Sequence, residues 1–304
     1  MQQSDTTALN HTYFGIPLTI KTGNGSLAAS LHTPLSLDPN GAPRQNNALV
    51  VLLHGLAGTR HEHNGIFMRL AAHLATLGFS VLRFDFRGCG ESFGTTLDIY
   101  PSAQVADTFA VVDFVLKQCR PESDDPLFAR LRATDAVAGL TGCHLLGFSL
   151  GGVVAALSAV EKPALFDSLT IWQAPFDLTR ELKRIFGPLN FDRIRARGYM
   201  QAGLTKLGAE LFTELTQLDM RDRLAGYTGD VLVLSGDRDD LVRLDPNHDE
   251  WLAALSGAHR QDCIIAGADH GFSHYRQEQD AIKRTSQFLI ECQAEKSAAG
   301  RVPG

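Results

Sequence analysis

The feature that most restricts the fold of this chain is a glycine-rich junction between an apolar run and a helical pattern. Residues 144–152 read H-L-L-G-F-S-L-G-G, and the small, mostly apolar residues 153–160 follow at helical spacing. A serine between two glycines in this context is typical of a sharp strand-to-helix turn that exposes the serine hydroxyl. A Cβ at Gly147 or Gly151 would collide with the neighbouring strand and helix. We therefore expect Ser149 at the tip of a strained turn.

Short apolar runs alternate with helical patterns along most of the chain. The runs lack polar alternation, as expected of strands buried on both faces, and the helical segments repeat apolar residues every three to four positions. This alternation predicts β-α-β units and a mostly parallel sheet with helices on both faces. The predicted strands are residues 48–53, 79–84, 144–146, 169–172, 231–234 and 263–266, and the predicted helices are residues 67–77, 103–117, 153–160, 247–255 and 278–292.

The first part of the chain has a different pattern. Two strand-like runs, residues 13–20 and 26–32, are joined by T-G-N-G. Asn-Gly is a strong signal for a hairpin, so these runs predict two antiparallel strands. The fold class that follows is α/β, with a mostly parallel eight-stranded sheet that begins with antiparallel strands.

One long stretch interrupts the alternation. Residues 176–226 show helical periodicity without a clear strand, and we interpret them as an inserted, mainly helical cap. Residues 120–141, rich in charge and glycine, predict a shorter surface excursion. The expected organisation is a core in two parts (residues 1–175 and 227–292), the cap (residues 176–226) and a flexible tail (residues 293–304).

Composition excludes several classes of function. The 28 basic and 34 acidic residues give a net charge of −6, which argues against nucleic acid as a partner. The apolar runs are far shorter than the ~20 residues of a membrane-spanning helix, and the N-terminus lacks the pattern of a secretory signal. The 5 cysteines are scattered without a C-x-x-C pair, so we expect reduced thiols rather than a metal site. We therefore expect a soluble, cytoplasmic protein.

Two loops near the C-terminus carry the partners that a nucleophilic serine needs. S-G-D-R-D-D-L-V follows the predicted strand 231–234, and G-A-D-H-G-F follows the strand 263–266. The carboxyl ends of parallel strands meet at one edge of a sheet, so both loops should lie near Ser149. A serine requires a base, and the base requires an orienting acid. Ser, Asp and His in this order predict Ser149 as nucleophile and His270 as base, with His274 a weaker candidate.

The loops after the first two parallel strands predict supporting roles. H-G-L-A-G, residues 54–58, can direct the Leu56 N–H at a developing oxyanion, with the Leu150 N–H as its partner. We interpret His54 as a hydrogen-bonded scaffold residue, and Asp85 with its neighbouring arginine as a structural brace. H-E-H at residues 61–63 lacks the H-E-x-x-H spacing of a zinc site and predicts a solvated entrance loop.

Taken together, these motifs resemble the α/β-hydrolase superfamily from about residue 14 to 292. The chain is most similar to capped serine esterases of the cinnamoyl/feruloyl-esterase and monoacylglycerol-lipase-like group. The resemblance rests on H-G-L-A-G, R-F-D-F-R-G-C-G-E-S, G-F-S-L-G-G, G-D-R-D-D-L-V and D-H-G-F. It implies that the acid is the Asp of G-x-x-D-x-x-V, which is Asp239 rather than Asp237 or Asp240. Arg243 stands where relatives often have proline.

The resemblance also implies a reaction: cleavage of a carboxylic ester through an acyl-enzyme, with no cofactor and no metal. The same triad serves thioesterases, acyltransferases, lactonases and amidases, so these remain alternatives, as does a ligand-binding relative without activity. The expected partner is a small-molecule acyl ester, and the sequence does not assign an oligomeric state. Apolar cap residues could line an acyl or aryl pocket.

The first part of the cap, residues 176–206, is basic. It contains seven cations and three anions, which suggests steering of an anionic substrate by residues such as Arg184 and Arg193. The alternative is a solvated outer helix face.

Overall fold

The computed structural model describes residues 15–34, 46–133 and 137–298. Within these ranges the strands are β1 (Ile16–Lys21), β2 (Ser26–His32), β3 (Leu49–Leu53), β4 (Ser80–Phe84), β5 (Cys143–Phe148), β6 (Ser168–Trp172), β7 (Tyr199–Ala202), β8 (Thr205–Gly208), β9 (Asp230–Gly236) and β10 (His259–Ile265). The α-helices are α1 (Ile66–Thr76), α2 (Pro101–Gln118), α3 (Pro126–Ala133), α4 (Leu150–Glu161), α5 (Leu178–Phe186), α6 (Phe191–Arg197), α7 (Ala209–Leu215), α8 (Met220–Leu224), α9 (Leu244–Ala254) and α10 (Tyr275–Ala298).

Eight strands form one sheet in the order β1-β2-β4-β3-β5-β6-β9-β10. The pairs β1–β2 and β2–β4 are antiparallel, and all the later pairs are parallel. The predicted eight-stranded, mostly parallel sheet with antiparallel first strands is therefore confirmed. Of the predicted first strand, residues 13 and 14 lie outside the described residues.

Each face of the sheet packs on its own layer of helices. Along β3, Val51 faces a core that includes residues of α2 and α4, whereas Val50 and Leu52 face a second core that includes residues of α1 and α10. This alternation explains why the strand is apolar throughout, since both faces are covered.

The sheet order determines which loops meet. The strands β5, β6, β9 and β10 lie side by side and run in parallel, so the loops that follow them share one edge. Ser149 follows β5, Asp239 lies three residues after β9, and His270 is in the loop after β10. This edge is the place to look for chemistry.

The chain between β6 and β9 contains α5–α8 and one element that the sequence did not predict. β7 and β8 form a two-stranded antiparallel hairpin. Its strands have four residues each and are mostly not buried, so they leave no apolar run to detect. A small separate core holds this segment together: Leu182, Ile194, Leu207, Leu211, Phe212 and Leu215. We keep the name cap for residues 176–226.

Two segments contain more regular structure than the sequence predicted. The surface excursion at residues 120–141 contains α3, which begins where Asp125 accepts the N–H groups of Leu127 and Phe128 and which buries Phe128 completely. The last helix continues to Ala298, and Gln293 is only 1% exposed, so residues 293–298 do not belong to a flexible tail. Residues 299–304 lie outside the described residues.

None of the helices in the described ranges combines the length and the apolarity that crossing a membrane requires.

Candidate active site

Ser149 occupies the strained turn that its flanking glycines predict. Its φ of 54° and ψ of −124° lie in a region that residues with a side chain rarely adopt. A Cβ at Gly147 would lie 2.0 Å from the Gly151 carbonyl oxygen, and one at Gly151 would lie 2.1 Å from the Leu53 carbonyl oxygen. Only glycine allows the strand, the turn and the helix to approach this closely. Strained backbone of the kind seen at Ser149 is typical of functional positions.

Two backbone segments meet at Ser149. Leu150 is the first residue of α4, so its N–H has no acceptor within the helix. On the other side, a Cβ built at Gly55 would lie 3.2 Å from the Ser149 Cβ, which places Gly55 against the serine. This loop closes as a tight turn in which the Gly58 N–H donates to the Gly55 oxygen at 3.1 Å. The segments that carry the Leu56 and Leu150 N–H groups thus flank Ser149.

The side chain of Leu56 has a second environment. It packs against the main core and against the core of the cap. The residue whose N–H was predicted for the oxyanion site therefore lies at the boundary between cap and body.

His54 is confirmed as a buried scaffold residue. Its Nε2 accepts the Phe86 N–H at 3.1 Å, so its Nδ1 carries the proton and donates to the Gly55 oxygen at 2.8 Å. Burial lowers the pKa of His54 to about 4. The imidazole is therefore neutral at neutral pH and fixes the first residues of the loop.

The loop after β4 is confirmed as a structural brace. Asp85 is fully buried, pairs with the Arg60 guanidinium and accepts the Arg60 and Glu91 N–H groups at 2.6 and 3.0 Å. Arg87 pairs with Asp107 through two guanidinium nitrogens, the shorter distance being 2.7 Å. Both carboxylates are thus occupied by structural partners.

Asp239 and His270 form a hydrogen-bonded pair. The His270 Nδ1 donates to the Asp239 Oδ2 at 2.6 Å. The other carboxylate oxygen accepts the N–H groups of Leu241 and Val242 at 2.8 and 2.7 Å, and the Asp239 side chain is fully buried. In the neutral imidazole Nδ1 carries the proton, so Nε2 is unprotonated and can accept a proton.

The two other aspartates of this loop lie elsewhere. Asp237 accepts the Gly267 N–H at 2.5 Å and joins the loops after β9 and β10. Asp240 is exposed. His274 is also exposed, and its Nδ1 accepts the Arg276 N–H. Of the candidates weighed from the sequence, Asp239 and His270 are therefore the ones that the structure brings together.

His270 also lies beside the serine turn. The centroid of its ring is 4.8 Å from that of Phe148, the residue directly before Ser149. Asp239, His270 and Ser149 thus share one edge of the sheet, in the loops that follow β9, β10 and β5.

Gln173, directly after β6, was not predicted from the sequence. It is 2% exposed and has a φ of 49°. Its amide oxygen accepts the Gly236 N–H at 2.7 Å, and its amide nitrogen donates to the Asp269 carbonyl at 2.7 Å. One side chain thus joins the end of the strand before Asp239 to the residue before His270. The one sign of this role in the sequence is a polar residue directly after a predicted strand.

Arg184 connects the cap to the loop that carries Asp239. Its guanidinium donates to the carbonyl oxygens of Asp240 and Leu241 at 2.7 and 2.6 Å and to the buried carboxylate of Glu181 at 2.9 Å. These bonds hold the guanidinium at the contact between the cap and the Asp239 loop, and the steering of an anionic substrate by Arg184 stays a prediction. The exposed apolar side chains nearest in sequence to this contact are Ile185, Phe186 and Leu241.

Other cations of the cap also have partners inside the protein. Arg180 pairs with Glu250, Arg195 pairs with Asp192, Arg197 donates to the Tyr199 hydroxyl, and Lys183 and Lys206 lie over the rings of Phe191 and Tyr199.

Solved structures and curated sequences extend this description. Est1E from Butyrivibrio proteoclasticus, solved with ferulic acid bound, is 20% identical and aligns over 92% of this chain and 99% of its own, with a TM-score of 0.69. The esterase domain of a Rhodothermus marinus protein is 18% identical over 91% of this chain and 98% of its own, with a TM-score of 0.58. At these identities the likeness shows the fold.

Curated relatives match shorter segments. The lysophosphatidylserine lipase ABHD12 of Mus musculus is 32% identical over 83 residues, which are 27% of this chain and 19% of that protein. The matched segments span about a fifth to a quarter of the length of the first curated relatives.

A family comparison covers much more of the chain. The model of the alpha/beta hydrolase family matches residues 50–284, a range that includes Ser149, Asp239 and His270. The resemblance seen in the sequence is confirmed: this chain belongs to the alpha/beta hydrolase family.

Proposed function

We propose that the protein is a serine hydrolase that cleaves a carboxylic ester through an acyl-enzyme. The observation that carries the proposal is the 2.6 Å hydrogen bond between Asp239 and His270 at the edge of the sheet where Ser149 occupies its strained turn. A nucleophile, a base and an acid on these strand ends are the parts that acyl transfer needs.

In the proposed reaction, the Ser149 Oγ attacks the ester carbonyl carbon and transfers its proton to the His270 Nε2. The Leu56 and Leu150 N–H groups hold the resulting oxyanion. His270 then protonates the leaving alcohol as the carbon–oxygen bond breaks, which leaves an acyl group on Ser149. Water, deprotonated by His270, then attacks the acyl carbon. The bond to the Ser149 Oγ breaks, His270 returns the proton to this oxygen, and the acid is released. Asp239 holds the imidazole in the tautomer that these transfers require.

The substrate class is a small ester with an apolar acyl or aryl group. The exposed side chains of Ile185, Phe186 and Leu241 offer apolar surface close to the contact between the cap and the Asp239 loop. The names of related proteins point the same way, since they include an esterase domain, a lipase and a structure with bound ferulic acid. We place the protein in the cytoplasm because its 5 cysteines are free thiols.

The test combines labelling with turnover. A fluorophosphonate should add one label, on Ser149, and Ser149→Ala should remove both the label and the hydrolysis of p-nitrophenyl esters. Ser158→Ala is the control, because the Ser158 hydroxyl is buried and donates to the Val154 carbonyl within α4. A label elsewhere, or hydrolysis that survives in Ser149→Ala, would contradict the mechanism. Faster product formation with added alcohols would assign the protein to acyl transfer instead.

A further inference from the structure

In the loop at residues 61–63, which the sequence predicted as a solvated entrance loop, His63 is exposed and His61 and Glu62 are half-buried. The Glu62 carboxylate turns back on its own chain, where Oε2 accepts the Gly55 N–H at 2.7 Å and Oε1 accepts the His63 N–H at 3.0 Å. Gly55 is the residue directly before Leu56 and lies against Ser149. The carboxylate therefore supports the turn that presents the Leu56 N–H.

The backbone around this carboxylate is strained. Glu62 has a φ of 55° and a ψ of 179°, and Ala57 and Asn64 also have positive φ values. Such conformations are unfavourable for residues with a side chain and persist where surrounding contacts hold them. Here the contacts include the Glu62 N–H donating to the Thr59 oxygen at 2.9 Å and the two bonds to the carboxylate. The strain is thus concentrated in the segment next to the serine.

The carboxylate lies at the sheet edge that carries Ser149 and His270, because it bonds to Gly55, which packs against Ser149. Burial raises the pKa of Glu62, while the N–H groups of Gly55 and His63 and the charges of His270 and His63 act in the opposite direction. His63 lies against the loop after β10, because a Cβ at Gly271 would be 2.2 Å from its ring.

Several other ionisable groups surround Glu62. A Cβ at Gly58 would lie 3.3 Å from both the Glu62 Oε2 and the His54 Nδ1. From the loop after β4, Cys89 has its pKa raised to about 12, chiefly by burial and then by the charges of Asp85, Asp107 and Glu62. The titratable groups that face the carboxylate are therefore His54 and His63 from its own segment, Cys89 from the loop after β4 and His270 from the loop after β10.

We propose that Glu62 is a positioning residue for acyl transfer, which holds the Gly55–Leu56 turn through its carboxylate and supplies a second negative charge facing the imidazolium that His270 becomes. This proposal rests on the proposed function of Ser149 and His270. When His270 takes the serine proton, the imidazole becomes positively charged. Asp239, bonded to Nδ1, and the Glu62 carboxylate are then two anions that stabilise this charge. The turn that Glu62 supports presents the Leu56 N–H to the oxyanion.

Two variants separate the geometric part from the electrostatic part. Glu62→Gln removes the charge and replaces one acceptor oxygen by an NH₂ group opposed to a backbone N–H. Glu62→Asp keeps the charge on a shorter side chain. Glu91→Gln is the control, because Glu91 is 73% exposed and pairs with Arg60 at the same end of the sheet. The assay is the pH profile of kcat and kcat/KM on a p-nitrophenyl ester, with the melting temperature measured in parallel.

Both variants should lower kcat by about 10- to 100-fold with a smaller change in KM, because the oxyanion donor is misplaced. In Glu62→Gln the acid limb of the kcat/KM profile should also move to lower pH, by about half a unit or more, since the imidazolium loses a stabilising charge. In Glu62→Asp the limb should stay in place. Glu91→Gln should match the wild type.

Wild-type kcat in Glu62→Gln would overturn the proposal. An acid limb that does not move in this variant would also overturn it, because a merely structural glutamate would give that result. If Glu62→Gln does not fold, Glu62→Asp provides the test, since wild-type kcat in that variant would again overturn the proposal. Failure of the proposed function is recognised separately, by activity that survives in Ser149→Ala.

Discussion

Replacing Gln173 by alanine should weaken the protein at the point where the loops of Asp239 and His270 are joined. The truncation removes the acceptor of the Gly236 N–H and the donor to the Asp269 carbonyl, both at 2.7 Å. Gly236 is buried and Asp269 is partly buried, so at least the Gly236 N–H loses its partner without access to bulk water. The backbone strain of the positive φ at position 173 is the same in the variant, because alanine and glutamine both carry a Cβ.

The expected size follows from these two bonds. A buried backbone group left without a partner costs about 1–3 kcal/mol, and the more accessible Asp269 carbonyl should contribute at the lower end of that range. The free energy of unfolding should therefore fall by about 2–4 kcal/mol. An unfolding entropy of about 2.1 cal/mol/K per residue corresponds to roughly 1.6 °C per kcal/mol for 304 residues, so the melting temperature should fall by about 3–6 °C.

Activity should respond in the same variant. The Gln173 side chain bonds to Gly236 and Asp269 rather than to Asp239 or His270, and it holds the chain on which both of these lie. We therefore expect kcat on a p-nitrophenyl ester to fall by about 10-fold or more. Denaturant titration measures the stability, and Gln217→Ala is the control because Gln217 is an exposed glutamine of the cap. An unfolding free energy within about 0.5 kcal/mol of the wild type would refute the role given to these two bonds.

Three further predictions use the same edge of the sheet and the buried histidines. Asp239→Asn should lower kcat by about 10⁴-fold, whereas Asp240→Asn should keep most of the activity; the reverse result would assign the acid to Asp240. Arg184→Ala should lower kcat as well as stability, because the Asp239 loop loses its contact with the cap, and an unchanged kcat would show that this contact has no effect on the reaction. Burial lowers the pKa of His54 and of His144 to about 4, below the ordinary value of 6.5. The unfolded chain therefore binds more protons than the folded protein between about pH 6.5 and 4, so stability should fall over that window by about 3 kcal/mol for each histidine, as measured by urea titration at several pH values. A stability that is constant from pH 7 to 4.5 would contradict this.

The sheet was predictable because most of its strands are covered on both faces. β3 is entirely apolar and entirely buried, so its run of leucine and valine is visible in the sequence. β10 begins at His259 with four exposed polar residues, so the apolar pattern detected only its last part. The cap hairpin escaped prediction because its residues are mostly not buried, and α3 escaped because Phe128 is its only buried residue.

The site was predictable only where its residues form a local motif. Ser149 and His270 lie in short patterns, whereas Asp239 stands between two other aspartates and required the family resemblance to select it. Gln173 and Glu62 could not be assigned in this way. Gln173 bonds to residues 63 and 96 positions away, and a pattern read along the chain carries no information about such distant partners.

The position of Leu56 between the two cores has a consequence for protein engineering. Its side chain packs on the cap, while its backbone N–H belongs to the proposed reaction site. An exchange of the cap for that of a relative, made to accept a different ester, would also change the surface that supports this N–H. Selectivity and turnover should therefore vary together in such chimeras, and a library of caps screened only for binding would retain many variants that bind well and react slowly.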